Sequence, residues 1–300
     1  MLDILPIELA IAIIRFAAES WRFTDRRTVV SLATTSSASY QIVAPILYHT
    51  IILSNSNMAA FMKFVTNDTT AARARLMSAH VRALHNFTSQ SITNNSSMTF
   101  GALEDVCAVG TVIKHLAEAH SPWSFRRVTL RSTGFELVSS AWLPPHTHGH
   151  ITHVCGYLPI FRRDDSWASF SSNPKKWARD IVHPLRRLTH LGLMLINVGS
   201  SSETQQAVRE FNVGALSVAL REALEHPTME CVALRVCGAF VEPRWAEIMM
   251  VLRAINDARV MVWRDDRPLQ TWEDHDTWMF ENIKEGRDVW TEAKRLSSMP

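Results

Sequence analysis

Between residues 5 and 48 the apolar positions follow a helical period. Leu5, Leu9, Ile13 and Phe16 form one stripe, and Ile11, Ile14, Ala17 and Ala18 carry it well round the cylinder. Glu8, Arg15 and Glu19 share the narrow polar side, with Arg15 and Glu19 spaced as an i,i+4 pair. A helix this apolar is covered on more than one side, and the short module it opens can cover only one. Pro6 suits the first turn and Glu8 the positive end of the helix dipole. Asp25, or Thr24, then caps a second helix carrying Val29, Leu32 and Ala33. Ser36 and Ser37 offer caps for a third, through Tyr40 and Val43, which Pro45 is expected to stop.

Beyond residue 50 the period changes. A short strand-like pattern recurs at Tyr48..Ile51.Leu53, Val81..Leu84, Phe125..Val128.Leu130 and Ile151..Val154. It returns at Leu185..Leu188..Leu191.Leu193, at Met229..Val232.Leu234 and, shortened, at Val260.Val262. Its middle positions (Ile51, Leu84, Val128, Val154, Leu191, Val232, Val260) lie 33, 44, 26, 37, 41 and 28 residues apart. Leucine-rich repeats run about 20–29 residues, so most gaps require inserted helices or loops. Helical stretches fill several: 58–77 (interrupted at 67–70), 103–120, 205–224 and 245–258. Segments rich in Gly, Ser and Pro, notably 89–97, 141–149 and 164–174, punctuate the others.

Strand, helix and strand in alternation imply parallel strands joined by crossovers. The expected fold is α/β: a small N-terminal helical module over residues 1–50, then an irregular leucine-rich-repeat-like solenoid over residues 51–300. An ordinary compact α/β sheet is the alternative. A last helical segment, about 273–296, is placed at the open end as a cap. In a solenoid, alternation along each strand turns the residues between the apolar positions toward the concave face. Those are His85, Thr129, Arg131, Cys155, Met194, Arg235, Met261 and Trp263, the expected target-binding face.

Composition narrows the function classes. The 31 Lys and Arg against 29 Asp and Glu leave +2, too little for a nucleic-acid or membrane surface. No apolar run reaches the length of a spanning helix, and Arg15 closes the run Leu9–Ile14 too early for a signal peptide. Cys107, Cys155, Cys231 and Cys237 form no C-x-x-C pair and read as buried reduced thiols, consistent with an intracellular protein, cytoplasmic or nuclear. His146, His148, His150, His153 and Cys155 have metal-ligand character. Pro144-Pro145 and Gly149 make that stretch a loop, so no metal, cofactor or catalytic residue is expected.

The ordered set Leu5-Pro6-Ile7-Glu8-Leu9, Ile13, Asp25, Leu32, Tyr40 and Pro45-Ile46-Leu47-Tyr48 resembles the F-box, in the diverged form of basidiomycete fungi. Tyr40 stands nearest the usual Trp, and Leu47-Tyr48 replaces the closing Leu-Trp. The resemblance implies docking on the Skp-family adaptor of a cullin–RING ubiquitin ligase through Leu5, Pro6, Leu9, Ile13 and Leu32. It also implies a substrate receptor that does no bond chemistry, with an unidentified protein target on its C-terminal region. The alternative is an interaction scaffold whose decayed F-box caps the solenoid.

Overall fold

The computed structural model describes residues 6–67, 70–88, 100–119, 125–131, 147–158, 170, 172–197, 202–238, 241–267, 269 and 271–299. It opens with three helices, α1 (Ile7–Trp21), α2 (Arg26–Thr34) and α3 (Ser37–Leu47). The Asp25 carboxylate accepts the Thr28 N–H at 3.1 Å, and the Ser36 hydroxyl accepts that of Ser39 at 3.0 Å. Both caps are those the sequence indicates. Pro45 does not stop α3, which continues through it to Leu47. A proline one turn from a helix end forfeits a single hydrogen bond, and the Tyr48 N–H still reaches the Ala44 carbonyl at 3.0 Å. Ala18, Val29, Ala33, Val43 and Leu47 form a small core belonging to this module.

The rest is mixed α/β, built on a nine-stranded sheet. In chain order its parts are β1 (Thr50–Leu53), α4 (Met58–Thr66), α5 (Ala71–His80), β2 (Ala83–Asn86), β3 (Asp105–Ala108) and α6 (Gly110–Ala119). Next come β4 (Arg127–Leu130), β5 (His153–Tyr157), α7 (Pro174–Val182), β6 (His190–Asn197), α8 (Ser202–Glu210) and α9 (Val213–Leu224). β7 (Cys231–Gly238), α10 (Val241–Ile255), β8 (Val260–Asp265), α11 (Trp272–Glu285), α12 (Val289–Glu292) and β9 (Lys294–Arg295) complete it. The strands stand side by side in the order they occur along the chain. Pairing is parallel from β1 to β8, and β9 joins β8 antiparallel.

One register row explains the recurrent apolar position. Ile51, Leu84, Val106, Val128, Val154, Leu191, Val232 and Val260 are successive partners across the sheet. The crossover helices cover this face, burying Met58, Val112, Leu116, Ile181, Leu216 and Leu252 against it. Val106 belongs to the row although the sequence places residues 103–120 in one helix. There the short run from Val106 to Ala108 is a strand, and the helix begins only at Gly110. Pro174 likewise opens a helix instead of closing a loop, because Asn173 caps it through the Lys176 N–H at 3.0 Å.

The segment placed at the open end lies elsewhere. The register rows and side-chain contacts trace its course. From β8 it crosses the second face of the sheet as α11, with Trp278 over β7 and β8, His275 on β5 and Asp276 on β4. It reverses at Gly286, whose φ of 68° is the left-handed conformation suited to glycine. It then returns past Arg127, Gly192 and His190 to pair as β9 along the edge of β8. Only that last strand caps anything; the remainder is a roof over the face opposite the crossover helices.

Candidate functional site

Two surfaces stand out. The first is α1. Ala18 on one side of this helix enters the module core and Ile14 packs against it. On other sides Ile7 is 69% exposed, Leu9 48%, Ile13 52% and Phe16 73%. Leu9, Ile13 and Phe16 follow i, i+4, i+7 spacing and so share one stripe. Of the residues assigned to the adaptor, Pro6, Leu9 and Ile13 are exposed and Leu32 is half-buried against the core. Leu5 lies outside the described residues. Phe16 is the most exposed apolar side chain of the helix and joins them.

The second is the roofed face. Its residues fall into register rows, because alternate side chains of adjacent strands share a face. One row is His85, Cys107, Thr129, Cys155, Gly192, Ala233 and Met261. A second is Tyr157, Met194, Arg235 and Trp263. A third runs Thr50, Ala83, Asp105, Arg127, His153, His190 and Cys231. Seven of the residues expected to meet a target lie in the first two rows, and Arg131 follows β4 beside them. They do share a face, but α11 and α12 lie over much of it.

Arg235 shows how complete the cover is. Its side chain is 1% exposed and donates to the Asp265 carboxylate at 2.8 and 3.2 Å. Its guanidinium also lies 3.2 Å from the Trp278 ring centre and 4.9 Å from that of Trp263. Desolvation alone would raise the Asp265 pKa, but hydrogen bonds and charge from Arg267 and Arg235 outweigh it and hold the carboxyl below its ordinary value. Met194 is buried beside Arg235, and Trp263 tilts against Trp278 at 5.5 Å. Arg131 forms a bidentate ion pair with Asp276 of the roof. Cys155 is buried beside Gly192, and Met261 is half-buried with its sulfur 3.5 Å from the Cys231 thiol. His85, which is buried, and Thr129, which is half-buried, line a cavity of about 290 Å³ together with Cys155, Met194, Arg235 and Trp263.

That cavity joins residues sequence reasoning missed. Asp105, Cys107 and Arg127 line its floor, while Trp278, Asn282, Arg287 and Trp290 line its roof. The lost signal was the 44-residue interval from Leu84 to Val128, which Val106 divides in half. Burial raises the Asp105 carboxyl to about 6, against the attraction of Arg127. It lowers His85 to about 4, with a smaller push from His49. Cys155 is pushed up to about 12 and Cys107 also upward, so both remain thiols at neutral pH. At neutral pH the His85 imidazole is uncharged and both cysteines are thiols, Arg127, Arg235 and Arg287 are ion-paired, and the Asp105 carboxyl is shifted toward neutrality.

In the histidine loop, His146 lies outside the described residues. His148 is buried, His150 is exposed, and His153 stacks on His190 at 4.2 Å with Trp290 edge-on to both. Burial, with His190 and Arg127 nearby, lowers His153 to about 4. Among the described residues no three His, Cys, Asp or Glu side chains gather as a metal set, and no helix is long and apolar enough to cross a membrane.

Fold and site together define a mixed α/β protein whose sheet is mostly parallel, with an open apolar helix at one end and a roofed cavity on one sheet face. Comparison of the chain with family models, with curated proteins and with solved structures gives no match.

Proposed function

We propose that the chain is a non-catalytic F-box-like adaptor, the substrate receptor of a cullin–RING ubiquitin ligase. Its N-terminal helices bind a Skp-family adaptor and its C-terminal domain binds a protein target. One observation carries the reading: α1 belongs to a module with its own core and still leaves Leu9, Ile13 and Phe16 in water. A contiguous apolar stripe of this kind marks a partner surface. The mechanism is proximity: a bound target meets a ubiquitin-loaded enzyme at high effective concentration, and the receptor makes or breaks no bond.

The solenoid reading of the C-terminal domain draws support from spacing. With Val106 included, the row positions from Leu84 to Val154 are 22, 22 and 26 residues apart, and Val232 to Val260 is 28, all within the leucine-rich-repeat range. While the roof is in place, a target has access only to parts of the concave face beyond α11 and α12. Localisation follows the ligase, cytoplasmic or nuclear.

The test is binding of purified full-length protein to a purified Skp-family adaptor. Wild type is expected to bind, and Ile13→Asp and Phe16→Asp to abolish binding. Failure of wild type to bind, or equal binding by both variants, overturns the proposal. A second reading, an interaction scaffold with a decayed F-box cap, is favoured by the His49 carbonyl, which accepts the N–H groups of Arg82 and Ala83 and ties the module to β2. It predicts that residues 51–300 alone aggregate; a stable, monodisperse fragment argues against it.

A further inference from the structure

The sheet ends at β1, and the two edges of the sheet are treated differently. At β8 the chain adds β9 as a further strand, whereas no described strand pairs with the outer side of β1. In a parallel ladder, alternate residues of a strand bond to its neighbour. The His49 carbonyl accepts the Ala83 N–H at 3.0 Å and the Leu53 carbonyl accepts that of Phe87 at 2.8 Å, so His49, Ile51 and Leu53 face β2. The backbone groups of Thr50 and Ile52 therefore point outward. Asn57 occupies the far end of this edge as a neighbouring peptide group would: its amide donates to the Ile52 carbonyl at 3.0 Å and accepts the Ser54 N–H at 2.8 Å. The Thr50 N–H, the Thr50 carbonyl and the Ile52 N–H have no hydrogen-bond partner among the described residues.

Thr50, Ile52 and Asn57 line a second cavity, of about 190 Å³, closed by the α1–α2 turn, α3 and α11. Its charge is one-sided. Arg22, Arg26 and Lys284 line it, and no carboxylate does. Lys284 pairs with Glu281 at 2.9 Å, but Arg22 and Arg26 have no ion-pair partner among the described residues. Two guanidinium charges thus stand uncompensated beside an unfilled strand edge. Phe23, Ile46, Leu47 and Phe280 supply an apolar wall. A free anion would answer the arginines and leave the Thr50 carbonyl, an acceptor, facing negative charge. Another backbone carries the N–H and C=O groups that the edge needs, and acidic side chains on it carry the charge.

We propose that the outer edge of β1 binds an extended acidic segment of a partner protein, added to the sheet as a further short strand. The segment donates to the Thr50 carbonyl and accepts the N–H groups of Thr50 and Ile52. Its Asp and Glu side chains meet Arg22 and Arg26, and an apolar side chain between them lies against Phe23 and Phe280. Asn57 ends the pairing, so the edge reads only a short stretch. The inference goes beyond the receptor reading and needs no Skp-family adaptor, since Leu9, Ile13 and Phe16 do not line this cavity. Loss of adaptor binding and loss of segment binding are therefore read separately.

Full-length protein is titrated with the peptide Gly-Asp-Val-Asp-Val-Asp-amide carrying fluorescein at its N-terminus, and anisotropy is read. The controls are the same peptide with Lys in place of Asp, and the acidic peptide with every Asp and Val nitrogen methylated. The acidic peptide is expected to bind saturably, and each control roughly tenfold or more weakly, because one lacks the charge and the other the backbone donors. Arg22→Gln with Arg26→Gln is expected to weaken the acidic peptide by a similar factor. Arg26→Glu, at an exposed position, serves if the double variant does not fold. Amide exchange followed by NMR is expected to slow at Thr50 and Ile52 on binding and to stay unchanged at Ile51, which already faces β2. Three results overturn the proposal: no saturable binding of the acidic peptide; binding that survives methylation or leaves exchange at Thr50 and Ile52 unchanged, which reduces it to charge attraction; or binding unchanged in the arginine variants.

Discussion

Helix α1 leaves Leu9, Ile13 and Phe16 in water, whereas the second face of the sheet is covered by residues 272–293 of the same chain. Burying one large apolar side chain stabilises by roughly 1.5–3 kcal/mol. On the sheet face that gain is realised within the chain, and the part-exposed ion pairs Arg131–Asp276 and Arg127–Asp288 fix where the cover sits. On α1 the gain is left for association. The contrast separates a surface committed to stability from one available to a partner, although both are apolar enough to attract either role.

The comparison breaks most severely at Arg235. Arg235→Ala leaves Asp265 buried with one fewer partner and empties the space between Trp263 and Trp278. Breaking such a pair costs roughly 3–5 kcal/mol, to be read by denaturant unfolding. Arg235→Met is expected to cost less, since Asp265 loses the same partner but the Met side chain keeps part of the packing between Trp263 and Trp278.

Gly192→Ala comes next. A Cβ there would stand 2.8 Å from the Cys155 sulfur and 2.9 Å from a Val289 methyl, so the roof must shift outward. The expected loss is about 1–3 kcal/mol, with faster proteolysis confined to residues after 266.

Asp105 gives a pH test. Its folded pKa of about 6 exceeds the ordinary 3.8, so the folded state binds more protons between those values. Stability from this group is present below pH 4 and lost as pH rises through 6. Asp105→Asn is therefore expected to stabilise by about 1–2 kcal/mol at pH 7.5 and hardly at all at pH 4, measured as the difference in unfolding free energy at the two pH values.

The smallest stability effect belongs to α1. Leu9→Ser with Ile13→Ser is expected to stay within about 0.5 kcal/mol of wild type, as exposed substitutions do. A loss comparable to that of Gly192→Ala would mean that α1 is covered after all.

Much of this was legible from the sequence. The caps Asp25 and Ser36, the excess apolar surface of α1 and seven of the row positions were read from periodicity, because each is a local property of a few residues. The eighth, Val106, was hidden: its four-residue strand runs into a helix without a Gly or Pro between Asp105 and Val109. The roof was hidden for a different reason. The α11 pattern of His275, Trp278, Met279, Asn282 and Ile283 shows that one side faces something, but pattern alone does not say what. Its seat depends on partners more than a hundred residues away, such as Tyr157 for His275 and Arg131 for Asp276.

The order of the strands has a consequence for synthesis. Every strand from β2 to β8 pairs with its predecessor in the chain, so the sheet can assemble as it leaves the ribosome. The roof cannot, because the Arg127–Asp288 bridge joins residues 161 apart. At roughly 5–20 residues per second, residues 272–299 take about 1–6 s to follow β8. During that interval the Arg235–Asp265 pair and the whole second face stand uncovered on a nascent sheet. That brief state is the one in which a chaperone meets the face without an obstacle.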